Sequence, residues 1–122
     1  MMRVADIRSL ADLCKTASKT AETLLCVDGT MMSPWLQRPL ELGADIVMHS
    51  ATKLLSGHAD TTAGALLTND KDLTQRIRFL QNAQGNALAP FDAFLLTRGM
   101  KTLSVRSSKS TISFPNPMLF VA

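Results

Sequence analysis

Two short apolar runs each stop at a polar corner, and this pairing constrains the chain more than any other feature. The first run, Thr23-Leu24-Leu25-Cys26-Val27, ends at Asp28-Gly29-Thr30. The second, Ala44-Asp45-Ile46-Val47-Met48, ends at His49-Ser50-Ala51-Thr52-Lys53, and a Gly57-His58-Ala59-Asp60 turn follows it. Runs that are apolar at nearly every position do not alternate as a half-solvated strand would. They predict strands in a sheet covered on both faces.

The rest of the chain carries helical patterns that could cover such a sheet. Ile7, Leu10, Ala11, Leu13 and Cys14 recur at helical spacing and predict an amphipathic helix over roughly Val4 to Ala17. The polar stretch from Thr16 to Thr20 breaks it, and a strand is predicted over Glu22 to Val27. Pro34 and Pro39 punctuate a loop or short helix, and Pro39-Leu40-Glu41-Leu42-Gly43 reads as one helical turn with a glycine stop. Further strands are predicted over Ala44 to Met48 and Thr62 to Thr68. Asn69-Asp70 is placed to cap a helix bearing Leu73, Ile77, Leu80 and Gln81, and Gly85 ends it. Pro90 opens another helix through Phe91, Phe94, Leu95 and Arg98. Helix, strand, loop, strand, strand, helix, helix is the order of an α/β chain.

Composition excludes several classes. With 122 residues, 46% hydrophobic and 19% charged, the chain has the make-up of one globular domain. The net charge of +3 is dispersed, and no basic run is interleaved with aromatics, so no nucleic-acid partner is expected. No apolar stretch approaches the roughly 18 to 20 residues of a membrane span. The opening Met1-Met2-Arg3-Val4-Ala5-Asp6 has no signal or transit pattern, so no targeting segment is expected in this chain. Cys14 and Cys26 form no C-x-x-C pair and read as two buried thiols in a reducing compartment. Met31, Met32 and Met48 read as core packing. His58 and Asp60 lack a third partner for a metal, and with His49 they read as residues that shape the turn.

Taken alone, Lys53 fits a surface loop, and Asp28 fits a strand-end acid opening a turn with Gly29. Ser50 and Thr52 are alternate residues, which would project two hydroxyls to one side if the segment is extended. They could equally cap the turn that follows. Together these groups suit one chemistry. An amine past a buried strand can condense with an aldehyde if it is partly desolvated. An acid can keep a pyridine nitrogen protonated, and paired hydroxyls can bond a phosphate.

The segment His49-Ser-Ala-Thr-Lys-Leu-Leu-Ser-Gly-His-Ala-Asp60 resembles the signature Ser-(Ala/Gly)-Thr-Lys-x-x-x-Gly-His-x-Asp of the transsulfuration enzymes, the Cys/Met-metabolism family dependent on pyridoxal 5'-phosphate (PLP). The stretch from Leu96 to Leu103, with its Arg98-Gly99-Met100-Lys101-Thr102-Leu103, resembles another family stretch. Where the family usually has Asp-Asn-(Ser/Thr), this chain has Asp28-Gly29-Thr30.

The resemblance implies part of the PLP fold type I (aspartate-aminotransferase-like) large domain over residues 1–106, with helices flanking an incomplete sheet. Residues 107–122, Ser/Thr-rich and then marked by Pro115 and Pro117, match nothing in the family and are expected to be unrelated to it. It implies that Lys53 is the catalytic amine, that Asp28 pairs with the ring nitrogen, and that Ser50 and Thr52 bond the phosphate of the PLP cofactor. Arg98 is expected to be structural. The implied reaction is carbon–sulfur cleavage of cystathionine to homocysteine, pyruvate and ammonia, by a cytoplasmic or plastid homotetramer acting on sulfur amino acids in methionine biosynthesis. The stretches Met48 to Lys53, Ala63-Gly64 and Leu88 to Asp92 lean to β-cleavage. γ-Lyases and γ-synthases share most of the remainder, and a non-catalytic truncated product is a third reading. The family's glycine-containing phosphate loop, ring-stacking tyrosine and carboxylate-binding arginine are not found in these 122 residues. The segment by itself is therefore expected to be inactive.

Overall fold

The computed structural model describes residues 5–17 and 23–113. The expected helix start at Val4, the strand start at Glu22 and the proline-containing end of the tail lie outside those residues. Helix α1 (Ile7–Ala17) begins where the Asp6 carboxylate accepts the Arg8 and Ser9 amides at 3.0 and 3.4 Å. Its one buried residue, Ala11, faces the short 3-10 turn Pro39–Leu42. Gly43 ends that turn at φ 101°, and a Cβ there would stand 2.9 Å from the Ala11 Cβ. The glycine stop expected from sequence is thus required twice, for its angle and for its size.

Strands β1 (Cys26–Asp28), β2 (Ile46–Ser50) and β3 (Gly64–Leu67) form one sheet in the order β1-β2-β3. β1 runs parallel to β2 with Asp28 opposite Met48, and β3 runs antiparallel with Gly64 opposite Ser50. The strands start later than predicted. The Ala44 amide still closes the 3-10 turn on the Pro39 carbonyl, so β2 cannot begin there. Asp45 then pins the pairing, because its carboxylate accepts the Leu25 amide at 2.7 Å while its own amide donates to the Leu25 carbonyl. Between β1 and β2 the chain folds as helix α2 (Ser33–Leu36), with Pro34 in its first turn.

Helix α3 (Lys71–Ala83) is capped as expected, with the Asp70 carboxylate accepting the Leu73 amide at 2.9 Å. Such a cap is worth about 1 kcal/mol. Helix α4 (Pro90–Met100) starts at its proline, and helix α5 (Leu103–Ser113) follows after a two-residue corner. α5 was not expected from sequence. The boundary anticipated at Arg106 falls inside it, and Ser107 is buried. Serine-rich sequence has little intrinsic helical preference, so packing of α5 against α2 supplies what propensity does not.

Coverage of the sheet departs from expectation. Val47, His49, Ala51 and Leu55 are buried along β2 and the turn after it. On β3, however, Leu66 and Leu67 are 55% and 42% exposed. Helix α3 stands away from β3 and buries only Leu73, leaving an open cleft lined by Leu66, Leu67, Ile77 and Leu80. Cys26 lies on an open edge strand and is exposed, and Cys14 is only partly buried, so neither is the buried thiol expected. Met31 is likewise exposed rather than packed in the core.

Of the glycines, Gly99 of α4 sits at the closest approach, since a Cβ there would overlap the Ser56 carbonyl. Gly99→Ala is expected to lower the unfolding free energy of the intact protein by about 1–3 kcal/mol. Gly64→Ala, where a Cβ meets nothing within 4 Å, is expected to stay within about 0.5 kcal/mol of wild type. Urea denaturation of both variants checks this, and equal losses would contradict it.

Candidate active site

The parallel pairing brings two polar corners to one end of the sheet. Asp28 is the last residue of β1 and is exposed. The next residues bind the corner to β2. The Gly29 amide donates to the Met48 carbonyl at 2.8 Å, and the Ser50 amide donates to the Thr30 hydroxyl at 2.8 Å. The Thr30 amide in turn donates to Asp28 Oδ1 at 2.9 Å. One threonine thus holds both the acid and the start of the lysine segment. Sequence reasoning treated Thr30 only as part of a motif. Its signal was the Asx-turn pattern, an acid whose side chain can take the amide two residues on.

Thr30 also sets the charge of the acid. Its side chain is the largest influence holding the Asp28 carboxyl below the usual carboxylate value, and its amide adds to this. Slight desolvation opposes the shift, and the nearby His49 ring favours it. Asp28 is therefore ionised near neutral pH.

Gly29 is where the chain departs from the family's usual asparagine, and the structure accounts for the space. His49, 3% exposed, lays its ring against this glycine, and a Cβ at position 29 would stand 2.7 Å from its Cε1. Glycine and buried imidazole fit one another here. Among the described residues His49 Nδ1, which is buried, has no hydrogen-bond partner. His49 is a strand residue and not the turn-shaping residue expected.

β2 stops at Ser50, and residues 51–56 turn immediately. Ser50 and Thr52 therefore do not share one side of an extended segment, as predicted. Ser50 belongs to the Asp28–Thr30 corner. Thr52 is stapled to the residue before β3: its hydroxyl accepts the Ala63 amide at 3.0 Å and donates to the Ala63 carbonyl at 3.4 Å. The donated bond is long for an O–H···O contact, so this hydroxyl proton is weakly held.

Lys53 is on the turn and exposed. The partial desolvation expected of it is not supplied by the described residues. The backbone around it is firmly held, with Ala51 and Ser56 both 0% exposed. His58 and Asp60 do shape this turn. His58 Nδ1 lies 2.6 Å from the Ser56 carbonyl, and Asp60 accepts the Ser56 hydroxyl at 3.2 Å. Arg98, expected to be structural, pairs with Asp60 at 2.7 Å. The pair is half-exposed and so worth at most about 1 kcal/mol. Among the described residues no group of three or more metal-ligating side chains occurs.

An open concavity of about 940 Å³ lies beside Lys53, lined by Thr52, His58, Asp60, Thr61 and Asp92 among others. Asp28 and Ser50 do not line it. The four predicted residues therefore form two pairs. Asp28 and Ser50 meet through Thr30, and Thr52 and Lys53 follow on the turn. The donor set fits PLP chemically: an ionised carboxylate, an accessible primary amine and two hydroxyls at one end of a sheet.

The acid's titration is a direct check. Its folded value lies below 3.8, the ordinary value, so its contribution to stability is full above that pH. The contribution is lost as pH falls through the folded value, and it is small because solvent screens an exposed group. Thr30→Val removes the hydroxyl and keeps the amide, so the Asp28 midpoint should rise toward 3.8. NMR titration of the carboxyl carbon measures it. A wild-type midpoint at or above 3.8 would contradict the assignment.

The sequence profile of the Cys/Met metabolism PLP-dependent enzymes matches residues 1–113. Cystathionine γ-lyase of Saccharomyces cerevisiae is 47% identical over 112 residues, which are 92% of this chain and 28% of that protein. The chloroplastic cystathionine β-lyase of Arabidopsis thaliana is 47% identical over 107 residues, 88% of this chain and 22% of that protein. Cystathionine γ-synthase of Mycobacterium leprae is 48% identical over 109 residues, 89% of this chain and 27% of that protein. The crystal structure of the yeast γ-lyase superposes with a TM-score of 0.82 at 49% identity, over 85% of this chain and 26% of that one. The chain spans about a quarter of the length of these relatives. With the profile matched over nearly all of its length and the lysine turn and acid at one end of the sheet, the chain belongs to the Cys/Met-metabolism family of PLP-dependent enzymes.

Proposed function

We propose that this segment is the lysine-bearing part of a PLP-dependent carbon–sulfur lyase that cleaves cystathionine on the β side, releasing homocysteine, pyruvate and ammonia. The observation that carries the reading is the β1–β2 register, with Asp28 opposite Met48 and Lys53 on the turn that leaves the same strand end. Lys53 would hold the cofactor through Nζ and, as the base, take the proton from the substrate's Cα. Asp28 would face the ring nitrogen, and its ionised state supplies the charge that position needs. Ser50 and Thr52 would bond the phosphate, Thr52 with the proton it holds weakly against Ala63. Bound there, PLP supplies an electron sink for the pair left when the Cα proton departs.

The β side is supported by the stretches Met48 to Lys53, Ala63-Gly64 and Leu88 to Asp92. γ-Cleavage is the second reading, supported equally by γ-lyases of yeast and Dictyostelium discoideum at 47% and 50% identity. The homotetramer, and a cytoplasmic or plastid location, stand on resemblance, the plastid on the chloroplastic relative in particular. The partial PLP-binding large domain over residues 1–106, with 107–122 as an unrelated tail, is likewise a reading from resemblance.

The products separate the two readings. The intact protein with PLP and cystathionine should release pyruvate and homocysteine. Release of 2-oxobutyrate and cysteine would establish γ-cleavage instead. Asp28→Asn should retain PLP and lose turnover by about 10²-fold or more, the scale seen when a preorganised electrostatic partner is removed. Near wild-type turnover would place the acid elsewhere. Residues 1–122 expressed alone should release neither product set. Their open strand edges and exposed β3 leucines leave the amine and acid without the enclosure that orients a substrate.

A further inference from the structure

We propose that Arg106 is the positioning residue of the Lys53 turn, holding its backbone from behind through the corner between α4 and α5. The proposal rests on the reading of Lys53 as the cofactor-bearing amine. Arg106 Nη1 donates to the Leu54 carbonyl at 2.8 Å, and Nη2 donates to the carbonyls of Leu55 and Gly99 at 3.3 and 2.9 Å. Nε donates to the Thr102 hydroxyl at 3.0 Å, which orients the guanidinium plane. Leu54 and Leu55 are the two residues directly after Lys53. A planar fork of donors can take several carbonyls at once, which a lysine ammonium cannot reproduce.

The space for this fork is made by glycines. Gly57 closes the turn at φ +70°, and a Cβ there would stand 2.5 Å from Arg106 Cζ. At Gly99 a Cβ would overlap the Ser56 backbone, so only glycine lets α4 approach the turn this closely. The turn's own bonds are few. The Lys53 amide donates to the Ser50 carbonyl, the Ser56 amide to Ala51 and the Gly57 amide to Lys53, at 3.1, 2.9 and 2.8 Å. Among the described residues the Lys53 ammonium has no hydrogen-bond partner and is exposed. Its reach is therefore set by the backbone beneath it, and that backbone is tied to Arg106.

The test is amide hydrogen exchange on the intact, cofactor-free protein, followed by a pH titration of the visible band after PLP is added. Arg106→Gln should raise exchange at Ser56 and Gly57 by about tenfold or more, while the β2 amides of Val47 and His49 stay within about twofold. Arg106→Lys keeps the charge without the fork, and it should behave like the glutamine variant. In the loaded protein both variants should shift the pH midpoint of the visible band. Unchanged exchange at Ser56 and Gly57, an equal rise in β2, or an unmoved midpoint would overturn the proposal. If Arg106→Gln does not accumulate folded, Thr102→Val, which removes the Nε acceptor and with it the hydroxyl's own bond to the Gly99 carbonyl but leaves the guanidinium in place, decides by the same criteria with a rise of about threefold. Exchange is measured without cofactor, so it stands apart from the functional reading. A wild-type protein that shows no visible band with PLP would sink that reading and leave the exchange result intact.

Discussion

The parallel pairing of Cys26–Asp28 with Ile46–Met48 is the constraint on which the rest depends. It makes an acid and a lysine turn leave the sheet at the same end, although long stretches of chain separate them. A slip of one residue would turn Val47 and His49 from the buried side to the other and carry Asp28 out of line with the turn. The register is pinned at both ends. Asp45 and Leu25 exchange bonds at the strand entrances, and Thr30 joins Asp28 to Ser50 at the exits. Polar side chains do this work where the strands are too short for their ladder to specify it.

Beyond that end of the sheet, the lysine turn is held from three directions. Thr52 staples it to Ala63, Ser56 and Arg98 tie it to Asp60, and Arg106 grips its outer carbonyls. The design is a rigid backbone beneath a free side chain. On the role proposed for Lys53, the amine needs a mobile end, and its origin must be fixed for the reacting atoms to meet. The separate support of Asp28 through Thr30 allows the acid to be kept ionised without drawing on the lysine's surroundings.

Much of this was legible in the sequence because it rests on local chemistry. Gly43, Asp70 and Pro90 marked element ends that the structure reproduces. Lys53 and Asp28 stood out because each ends an apolar run. What the sequence hid is non-local. That Thr52 leaves the extended segment depends on its bonds to Ala63, and the role of Arg106 depends on a carbonyl cluster about fifty residues earlier. The α5 helix escaped notice because its serines speak for a loop while packing decides for a helix. Solvent exposure of β3 escaped for the opposite reason. Apolar strands predict cover, and the described elements do not provide it.

The central claim is that Lys53 is the amine that carries the cofactor, and covalent capture tests it most directly. The intact protein would be incubated with PLP, reduced with borohydride, digested and mapped by mass spectrometry. The account predicts the reduced pyridoxyl adduct on the peptide containing Ser50-Ala51-Thr52-Lys53, at Lys53. An adduct on Lys71 or Lys101 in place of Lys53 would contradict it.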